Sequence, residues 1–275
     1  MRAALVNSGL GLLGAAAALR ELDPAIDLVL SLDPDGMPWG PRPARGAGSI
    51  VERTLLTVRA AMAADPDVMV VACNSASVHA LDVVRAELEP AVPVIGTVPG
   101  VKPAVLAGPV VAVWSTRATA TSDYLHGLIA AHAAGRSVTT IACPGLADAV
   151  DAGDLAGVDR AVGRAAAATP SQVSDVVLGC TEYELVADVI AAALPAGVRV
   201  HGTASAIARQ AVARAGEAGR PVRPGTGRLE VLLSGRAGRL PPAALTYEAG
   251  RRIAPSTGSR NVTAGGSGPA VPAVR

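Results

Sequence analysis

The chain has 275 residues, of which 50% are apolar, 17% are charged and only 2% are aromatic, and its net charge is +1. This apolar content suffices for a buried core and excludes a wholly disordered chain, and the length accommodates one large domain or two small ones. The balanced charge and the few aromatic side chains exclude the basic, stacking surfaces that bind nucleic acids, so we expect no nucleic-acid partner.

Short apolar runs alternate with Ala-rich segments of helical spacing. The predicted strands are Ala3–Val6, Asp27–Leu32, Val68–Ala72, Val92–Ile95, Val110–Trp114, Val138–Ala142, Val176–Leu178, Arg199–His201 and an edge strand at Leu229–Leu233. The predicted helices are Leu10–Leu22, Ser49–Ala64, Ala76–Leu88, Thr119–Ala134, Ala156–Ala168, Glu182–Leu194 and Ala204–Ala215. This alternation is typical of an α/β fold with parallel sheets and right-handed crossovers.

Three segments interrupt the alternation. The Pro- and Gly-rich stretch Asp33–Gly48 is too long for an ordinary connection and is predicted to be a functional loop. Pro99–Pro109 is predicted to be a linker that crosses between domains. The Ser-, Thr-, Gly- and Pro-containing segment Arg251–Arg275 is predicted to be a disordered tail.

The cysteine count and the hydropathy pattern indicate the compartment. Three cysteines, Cys73, Cys143 and Cys180, are too few for a disulfide framework and favour a reducing environment. There is no uncharged apolar run of about 20 residues, so we expect no transmembrane helix and no membrane partner. The N-terminal apolar run is too short for a signal peptide, and we expect a cytoplasmic protein. Without a CxxC motif, and with scattered histidines, no metal site is expected.

Several predicted strands end in small polar or nucleophilic side chains. In open α/β sheets these ends bind ligands, because backbone N–H groups and helix dipoles converge there. Two of the ends match: Val70–Ser75 and Val177–Glu182 both run from an apolar strand through a small residue and a cysteine to two polar residues. This repeated sequence pattern predicts two similar halves of the chain, with one cysteine each.

The matched cysteines suggest proton transfer from two sides. A thiolate can take a proton from carbon while an opposing thiol delivers one to the other face, and a helix N-terminus is expected to lower the thiol pKa. The alternative is that each cysteine is a small buried hydrophobe, but the matched pair favours chemistry. Asn7, Ser8 and Thr181 either bind ligand or cap helices, and these roles are compatible. Cys143 precedes Pro144 and is expected to be structural.

The ordered set of motifs resembles the glutamate racemases, within the cofactor-independent aspartate/glutamate racemase superfamily, over roughly residues 3–214. The residues that carry the resemblance are Asn7-Ser8-Gly9, Pro38-Trp39-Gly40-Pro41-Arg42-Pro43, Ala72-Cys73-Asn74-Ser75-Ala76, Ala142-Cys143-Pro144 and Leu178-Gly179-Cys180-Thr181-Glu182-Tyr183. The resemblance implies two similar parallel-sheet α/β domains related by a pseudo-twofold axis, with the active site between them. We expect residues 1–98 and 203–250 in the first domain, 99–202 in the second, and a tail over 251–275.

The resemblance also implies the chemistry. Cys73 and Cys180 would abstract and return the Cα proton of an amino acid without pyridoxal phosphate or metal, and Glu182 and Asn7 would tune them. The expected ligand is a small amino acid or dicarboxylate, and the expected product is D-glutamate for peptidoglycan. Homodimers are common in the family, so a homodimer is an open expectation. The residues expected to bind the substrate or close over it are Ser8, Trp39, Gly40, Asn74, Ser75 and Thr181.

Departures from the family pattern leave alternatives open. The family usually has Asp at the position of Asn7 and His at that of Glu182, and a carboxamide can neither carry charge nor act as a base. An ionised Glu182 would raise the pKa of Cys180 and repel a substrate side-chain carboxylate. Trp39 replaces a tyrosine, and Ala118 stands where a threonine is expected. The alternatives to glutamate racemisation are an isomerase or decarboxylase acting on another small acid, or a binding protein without catalysis.

Overall fold

The computed structural model describes residues 1–39, 48–133, 135–219 and 221–254. Within these residues, the predicted apolar runs form strands. The strands are β1 (Arg2–Asn7), β2 (Asp27–Leu32), β3 (Val68–Val71), β4 (Val94–Gly96), β5 (Val110–Ser115), β6 (Ser137–Ala142), β7 (Asp175–Leu178), β8 (Arg199–His201), β9 (Leu229–Leu233) and β10 (Arg236–Ala237). The central strands are buried on both faces, as expected of a parallel sheet covered by helices.

The described strands form two sheets. The six-stranded sheet has the order β10-β9-β2-β1-β3-β4 and the four-stranded sheet the order β6-β5-β7-β8. All neighbouring pairs are parallel except β9 and β10. The order β2-β1-β3-β4 recurs as β6-β5-β7-β8, so β3 and β7 occupy equivalent places. The α/β fold class with two parallel sheets is therefore confirmed, whereas the expected domain limits stay a prediction.

Helices cover both sheets, and α1 helps to join them. The α-helices are α1 (Leu12–Leu22), α2 (Ile50–Met62), α3 (Asn74–Leu88), α4 (Val101–Ala107), α5 (Arg117–Ala120), α6 (Asp123–His132), α7 (Leu146–Ala152), α8 (Leu155–Ala168), α9 (Ala187–Ala193), α10 (Ala204–Glu217) and α11 (Glu248–Ile253), with 3-10 helices at Pro34–Gly36, Thr181–Val186 and Pro242–Thr246. One apolar cluster includes Leu5 of β1, Leu13 of α1 and Trp114 of β5. The two sheets therefore share a continuous core. None of the described helices has the length and apolarity needed to cross a membrane.

The predicted linker Pro99–Pro109 is wrong in part, because it contains helix α4. Val101, Ala104 and Val105 of this helix are buried. Pro103 lies in the first turn, where its missing N–H group would have had no partner in the helix. The apolar spacing therefore gives a helix despite the flanking prolines.

Three predictions also need correction. The single helix predicted over Glu182–Leu194 is the 3-10 helix Thr181–Val186 followed by α9. The predicted disordered tail begins too early, because Arg251 and Arg252 belong to α11 and Ile253 is only 2% exposed. Residues 255–275 lie outside the described residues. The single helix predicted over Thr119–Ala134 is two helices, because the Ser122 hydroxyl accepts from the backbone of Leu125 and starts α6.

Candidate active site

Cys73 lies where β3 passes into α3. It is the N-cap residue of this helix and is 9% exposed. The backbone N–H groups of Ser75 and Ala76 favour its thiolate, but burial, together with the negative charge of Glu182, outweighs them and raises the pKa of Cys73 to about 12. The prediction that a helix N-terminus lowers this pKa is therefore wrong in net direction.

Cys180 follows the equivalent strand, β7, but it leads into the 3-10 helix Thr181–Val186. Its Sγ donates a hydrogen bond to Oε2 of Glu182 at 2.7 Å, and the Thr181 hydroxyl donates to the same oxygen at 3.4 Å. Burial and then the Glu182 carboxylate raise the pKa of Cys180 well above its usual value. The expected effect of Glu182 on this thiol is thus found, and Glu182 lies within reach of the thiol proton.

Two asparagine side chains join the ends of the two sheets. Nδ2 of Asn7 donates to the carbonyl of Ala72 at 2.7 Å and to Oγ1 of Thr181 at 3.2 Å. Nδ2 of Asn74 donates to the carbonyl of Gly179 at 2.9 Å. Since Ala72 and Asn74 flank Cys73, and Gly179 and Thr181 flank Cys180, these bonds bring the two thiol-bearing segments together.

Asn74 leaves one polar atom without a partner. Its Oδ1 is buried and accepts no hydrogen bond from any described residue. A buried acceptor without a donor costs free energy unless a ligand supplies one. The amide of Asn74 is therefore suited to bind a ligand with an N–H or O–H group.

The turn before α1 approaches the site so closely that it requires glycine. A Cβ on Gly11 would overlap Oγ1 of Thr181 and lie 2.6 Å from both Nδ2 of Asn7 and Oε1 of Glu182. A Cβ on Gly9 would lie 2.6 Å from Oδ2 of Asp151. The GxGxxG-like pattern at residues 9–14 therefore allows close packing against the thiol-bearing segments.

Asp151 lies beside the candidate site and was not predicted from the sequence. It lies on α7, a helix that was not predicted, and its Oδ1 accepts the backbone N–H of Leu10 at 2.7 Å. Burial and the neighbouring Glu182 charge raise the pKa of Asp151 to about 7. Its charge also raises the pKa of Cys73. The only local signal was an acidic residue following the strand-end motif at Cys143.

The other predicted site residues lie around this centre. Ser8 is half-buried, and its hydroxyl donates to Oδ1 of Asn7 at 3.3 Å. Trp39 is 7% exposed and belongs to the same apolar cluster as Cys73. Ser75 is half-buried in the first turn of α3. Gly40, which was predicted to belong to the closing loop, lies outside the described residues.

Trp39 is held by Asp33 at the end of β2. Its Nε1 donates to Oδ2 of Asp33 at 2.9 Å, and Asp33 also forms an ion pair with Arg53 and accepts from Ser234. The backbone N–H of Asp33 donates to the carbonyl of Ser8 at 3.1 Å. Asp33 thus connects Trp39 to Ser8. From the sequence, Asp33 was predicted only as the first residue of the loop Asp33–Gly48.

Comparison with known proteins gives one consistent result. The sequence profile described as Asp/Glu/Hydantoin racemase matches residues 14–211. The chain is 33% identical to a glutamate racemase of Herpetosiphon aurantiacus over 211 residues, which cover 75% of this chain and 81% of that protein. It is 35% identical to a glutamate racemase of Methylococcus capsulatus over 208 residues, which cover 74% of this chain and 75% of that protein.

Solved structures show the same likeness. The crystal structure of Escherichia coli glutamate racemase with L-glutamate and the activator UDP-MurNAc-ala matches with a TM-score of 0.75 and 25% identity, over 89% of this chain and 91% of that one. Glutamate racemase of Thermus thermophilus, in complex with beta-chloro-D-alanine, matches with a TM-score of 0.64 and 26% identity, over 92% of both chains.

Proposed function

Because the chain belongs to the Asp/Glu/Hydantoin racemase family and is an amino-acid racemase, we propose that its substrate is glutamate and that Cys73 and Cys180 exchange the Cα proton. The relatives at 33% and 35% identity are glutamate racemases, which supports this substrate. The product would be D-glutamate for peptidoglycan. The homodimer expected from the resemblance stays a prediction.

The observation that carries the proposal is the set of hydrogen bonds that joins the thiol-bearing strand ends. Asn7 links Ala72 to Thr181, and Asn74 binds the carbonyl of Gly179. Cysteines so placed, one from each sheet, can act on a single carbon from two sides. Cofactor-independent racemisation needs this arrangement, because a single base would return the proton to the face it came from.

Glu182 completes the proton balance. In one direction, Cys180 passes its proton to Glu182 across their 2.7 Å hydrogen bond, and the resulting thiolate removes the Cα proton. Cys73 then donates its own proton to the opposite face of the carbanion. After product release, Glu182 loses its proton to solvent and Cys73 regains one. In the reverse direction, Cys73 first loses its proton to solvent and Glu182 gains one. The Cys73 thiolate then removes the Cα proton, Cys180 protonates the opposite face, and Glu182 returns its proton to Cys180.

The other predicted residues are proposed to bind the substrate. Asn74 offers its unpartnered Oδ1, and the helix start after Cys73 offers backbone N–H groups to a carboxylate. Asn7 tunes both segments through its two hydrogen bonds. The residues proposed to contact the substrate or close over it are Ser8, Trp39, Gly40, Asn74, Ser75 and Thr181.

Incubation in deuterium oxide tests this function. With L-glutamate, we expect NMR to show exchange of the Cα proton and circular dichroism to show decay toward zero, and D-glutamate should give the mirror result. Absence of both changes would reject glutamate as the substrate. A Cys73→Ala variant that racemises as fast as the wild type would reject the two-cysteine mechanism.

The charge of the site favours one second candidate, an amino acid with an uncharged side chain. Glu182 and Asp151 place two carboxyl groups beside the thiols, and the principal electrostatic influences on Cys73 and Cys180 include no basic side chain. A second substrate carboxylate would be repelled by this charge. Exchange in deuterium oxide with alanine, serine and glutamine, faster than with glutamate, would support this candidate.

A further inference from the structure

We propose that Asp33 is a positioning residue, which holds the indole of Trp39 in the apolar cluster of Cys73 and thereby limits the access of water to this thiol. The consequence for catalysis rests on the proposed function, in which Cys73 transfers a proton. The contact itself and its effect on the thiol require no substrate.

The carboxylate of Asp33 is fully buried and accepts from four donor atoms. Nε1 of Trp39 donates to Oδ2 at 2.9 Å, and the hydroxyl of Ser234 donates to Oδ1 at 2.9 Å. The guanidinium of Arg53 donates to both oxygens, to Oδ2 through Nε at 2.7 Å and to Oδ1 through Nη2. The two-pronged ion pair therefore fixes the carboxylate in the position where it binds the indole.

The backbone of Asp33 lies at the same sheet edge as the thiol-bearing segments. Asp33 directly follows β2 and Ser8 directly follows β1, two strands that pair in parallel. The N–H group of Asp33 donates to the carbonyl of Ser8 at 3.1 Å. The acceptor of the indole is thus anchored to the edge that carries Asn7.

The two thiols lie in different apolar surroundings, and Trp39 belongs to those of Cys73. Trp39 and Cys73 share a cluster with Ile50 of α2 and Ala76 of α3, whereas Cys180 packs against the central core. Trp39 is 7% exposed and is the only aromatic side chain among the described members of its cluster. The indole is therefore placed to shield Cys73 and not Cys180.

Shielding from water affects the protonation of Cys73. Burial is the main cause of its raised pKa, about 12, and the charges of Glu182 and Asp151 add to it. Asp33 is not among the main causes of this shift. Loosening Trp39 therefore changes the hydration of the thiol and leaves the two neighbouring charges in place. Since water stabilises the thiolate, a firmly held indole favours the protonated thiol.

Alkylation by iodoacetamide, followed by peptide mass spectrometry, tests the proposal in Trp39→Phe and Asp33→Asn. Phenylalanine lacks the N–H donor, and an asparagine oxygen cannot accept from all four donors. In each variant we expect Cys73 to react about 3- to 10-fold faster at about pH 9, because added hydration favours the thiolate. Cys180 and Cys143 in the same molecule should react at their wild-type rates, which excludes general unfolding as the cause.

Matched controls remove similar groups without touching the indole. Ser234→Ala removes another donor to Asp33. Asp35→Asn removes an exposed carboxylate of the same turn, which pairs with Arg236. Both controls should leave the alkylation rate of Cys73 unchanged, because Trp39 keeps its acceptor.

The double variant tests whether Asp33 acts through Trp39. Its Cys73 should react no faster than in the faster single variant, because both changes break one contact. Additive effects would overturn the proposal. A single variant in which Cys73 reacts at the wild-type rate, or in which Cys73 and Cys180 are accelerated equally, would overturn it as well.

The wild type supplies a measurement that does not depend on the folding of Asp33→Asn. The chain has two tryptophans, so NMR with nitrogen-15 gives two indole N–H signals, and Trp39→Phe identifies that of Trp39. We expect this N–H to exchange slowly in deuterium oxide, because it is buried and bound to a carboxylate. Exchange as fast as in free tryptophan would overturn the proposal.

Deuterium incorporation connects the inference with the proposed function. After the Cys73 thiolate has taken the Cα proton, the thiol either returns this proton to the same face or first exchanges it for deuterium. Trp39→Phe should therefore raise deuterium incorporation into unconverted glutamate, relative to racemisation, for one enantiomer only. An equal rise for both enantiomers, or no rise, would overturn the inference. If the wild type shows no Cα exchange, the proposed function fails, and the alkylation rates still decide the inference.

Discussion

The segments after β3 and β7 occupy equivalent places in the two sheets but provide different surroundings for their thiols. Cys73 starts a regular helix of 15 residues and has backbone N–H groups beside it. Cys180 starts a 3-10 helix and has a carboxylate at 2.7 Å. Backbone N–H groups thus lie beside both thiols, but only Cys180 has a carboxylate of its own segment in contact.

This difference shows that a repeated fold does not impose repeated chemistry. In the 3-10 helix, the carboxylate of Glu182 contacts the sulfur of Cys180, two residues earlier. At the start of α3, the amide of Asn74 instead donates to the carbonyl of Gly179. Among the described residues, only Cys180 therefore has a carboxylate in direct contact with its sulfur. The charges that raise the pKa of Cys73 come from other segments and include those of Glu182 and Asp151.

The largest expected effect comes from removing either thiol. If both thiols transfer protons, Cys73→Ser and Cys180→Ser should each reduce racemisation by about 10²- to 10⁴-fold, the usual contribution of a general acid or base. Circular dichroism with L- and D-glutamate measures this loss. Cys143→Ala, at a buried position directly after β6, is the control and should keep activity. Full activity of either serine variant would show that the thiol it replaces does not transfer a proton.

Removing the carboxylate beside Cys180 should separate reactivity from catalysis. Glu182→Gln should slow racemisation by about 10²-fold, because the thiol loses its base. It should also lower the pKa of Cys180, since the Glu182 charge raises it. Alkylation by iodoacetamide at pH 8, followed by peptide mass spectrometry, should therefore be faster at Cys180 in the variant. Slower alkylation would show that Glu182 does not control this thiol.

The turn that packs between the segments can be tested with two glycines. Gly11→Ala should cost about 1–3 kcal/mol, because its Cβ overlaps the Thr181 hydroxyl and crowds Glu182. Gly14→Ala places a Cβ 3.5 Å from Ala204, an ordinary contact, and should stabilise α1 by about 0.5–1 kcal/mol. Urea unfolding measures both free energies. Equal effects would contradict the close approach at Gly11.

The last expected effect concerns stability and pH. The pKa of Asp151 is raised to about 7 in the folded chain, against about 4 when unfolded, so the folded state binds more protons between these values. The contribution of Asp151 to the free energy of unfolding therefore falls as the pH rises from about 4 to about 7, and it stays low above that range. Asp151→Asn should raise Tm more at pH 8 than at pH 5, by about 2–4 °C for each kcal/mol. Asp148→Asn should show no such difference.

Much of the fold could be predicted because its signals are local. Strands β2 and β9 begin and end as predicted, since valine and leucine runs bounded by turns are readable within a few residues. The prediction that Leu229–Leu233 is an edge strand is wrong, because the two-residue strand β10 pairs with its outer side. Helix α7 was missed because a seven-residue segment after Cys-Pro-Gly is too short to show helical periodicity. Asp151 was missed with it.

The sequence by itself determined the parallel α/β architecture and the two cysteines at matching strand ends, because periodicity and strand-end chemistry are properties of short segments. Only the tertiary structure decided the neighbours of each thiol. Asp151 meets Leu10 across 141 residues and Asn7 meets Thr181 across 174. Burial raises the pKa of both thiols, and the charges of Glu182 and Asp151, from distant segments, raise that of Cys73 further. The pattern of the Cys73 segment cannot record the charges that folding brings to it.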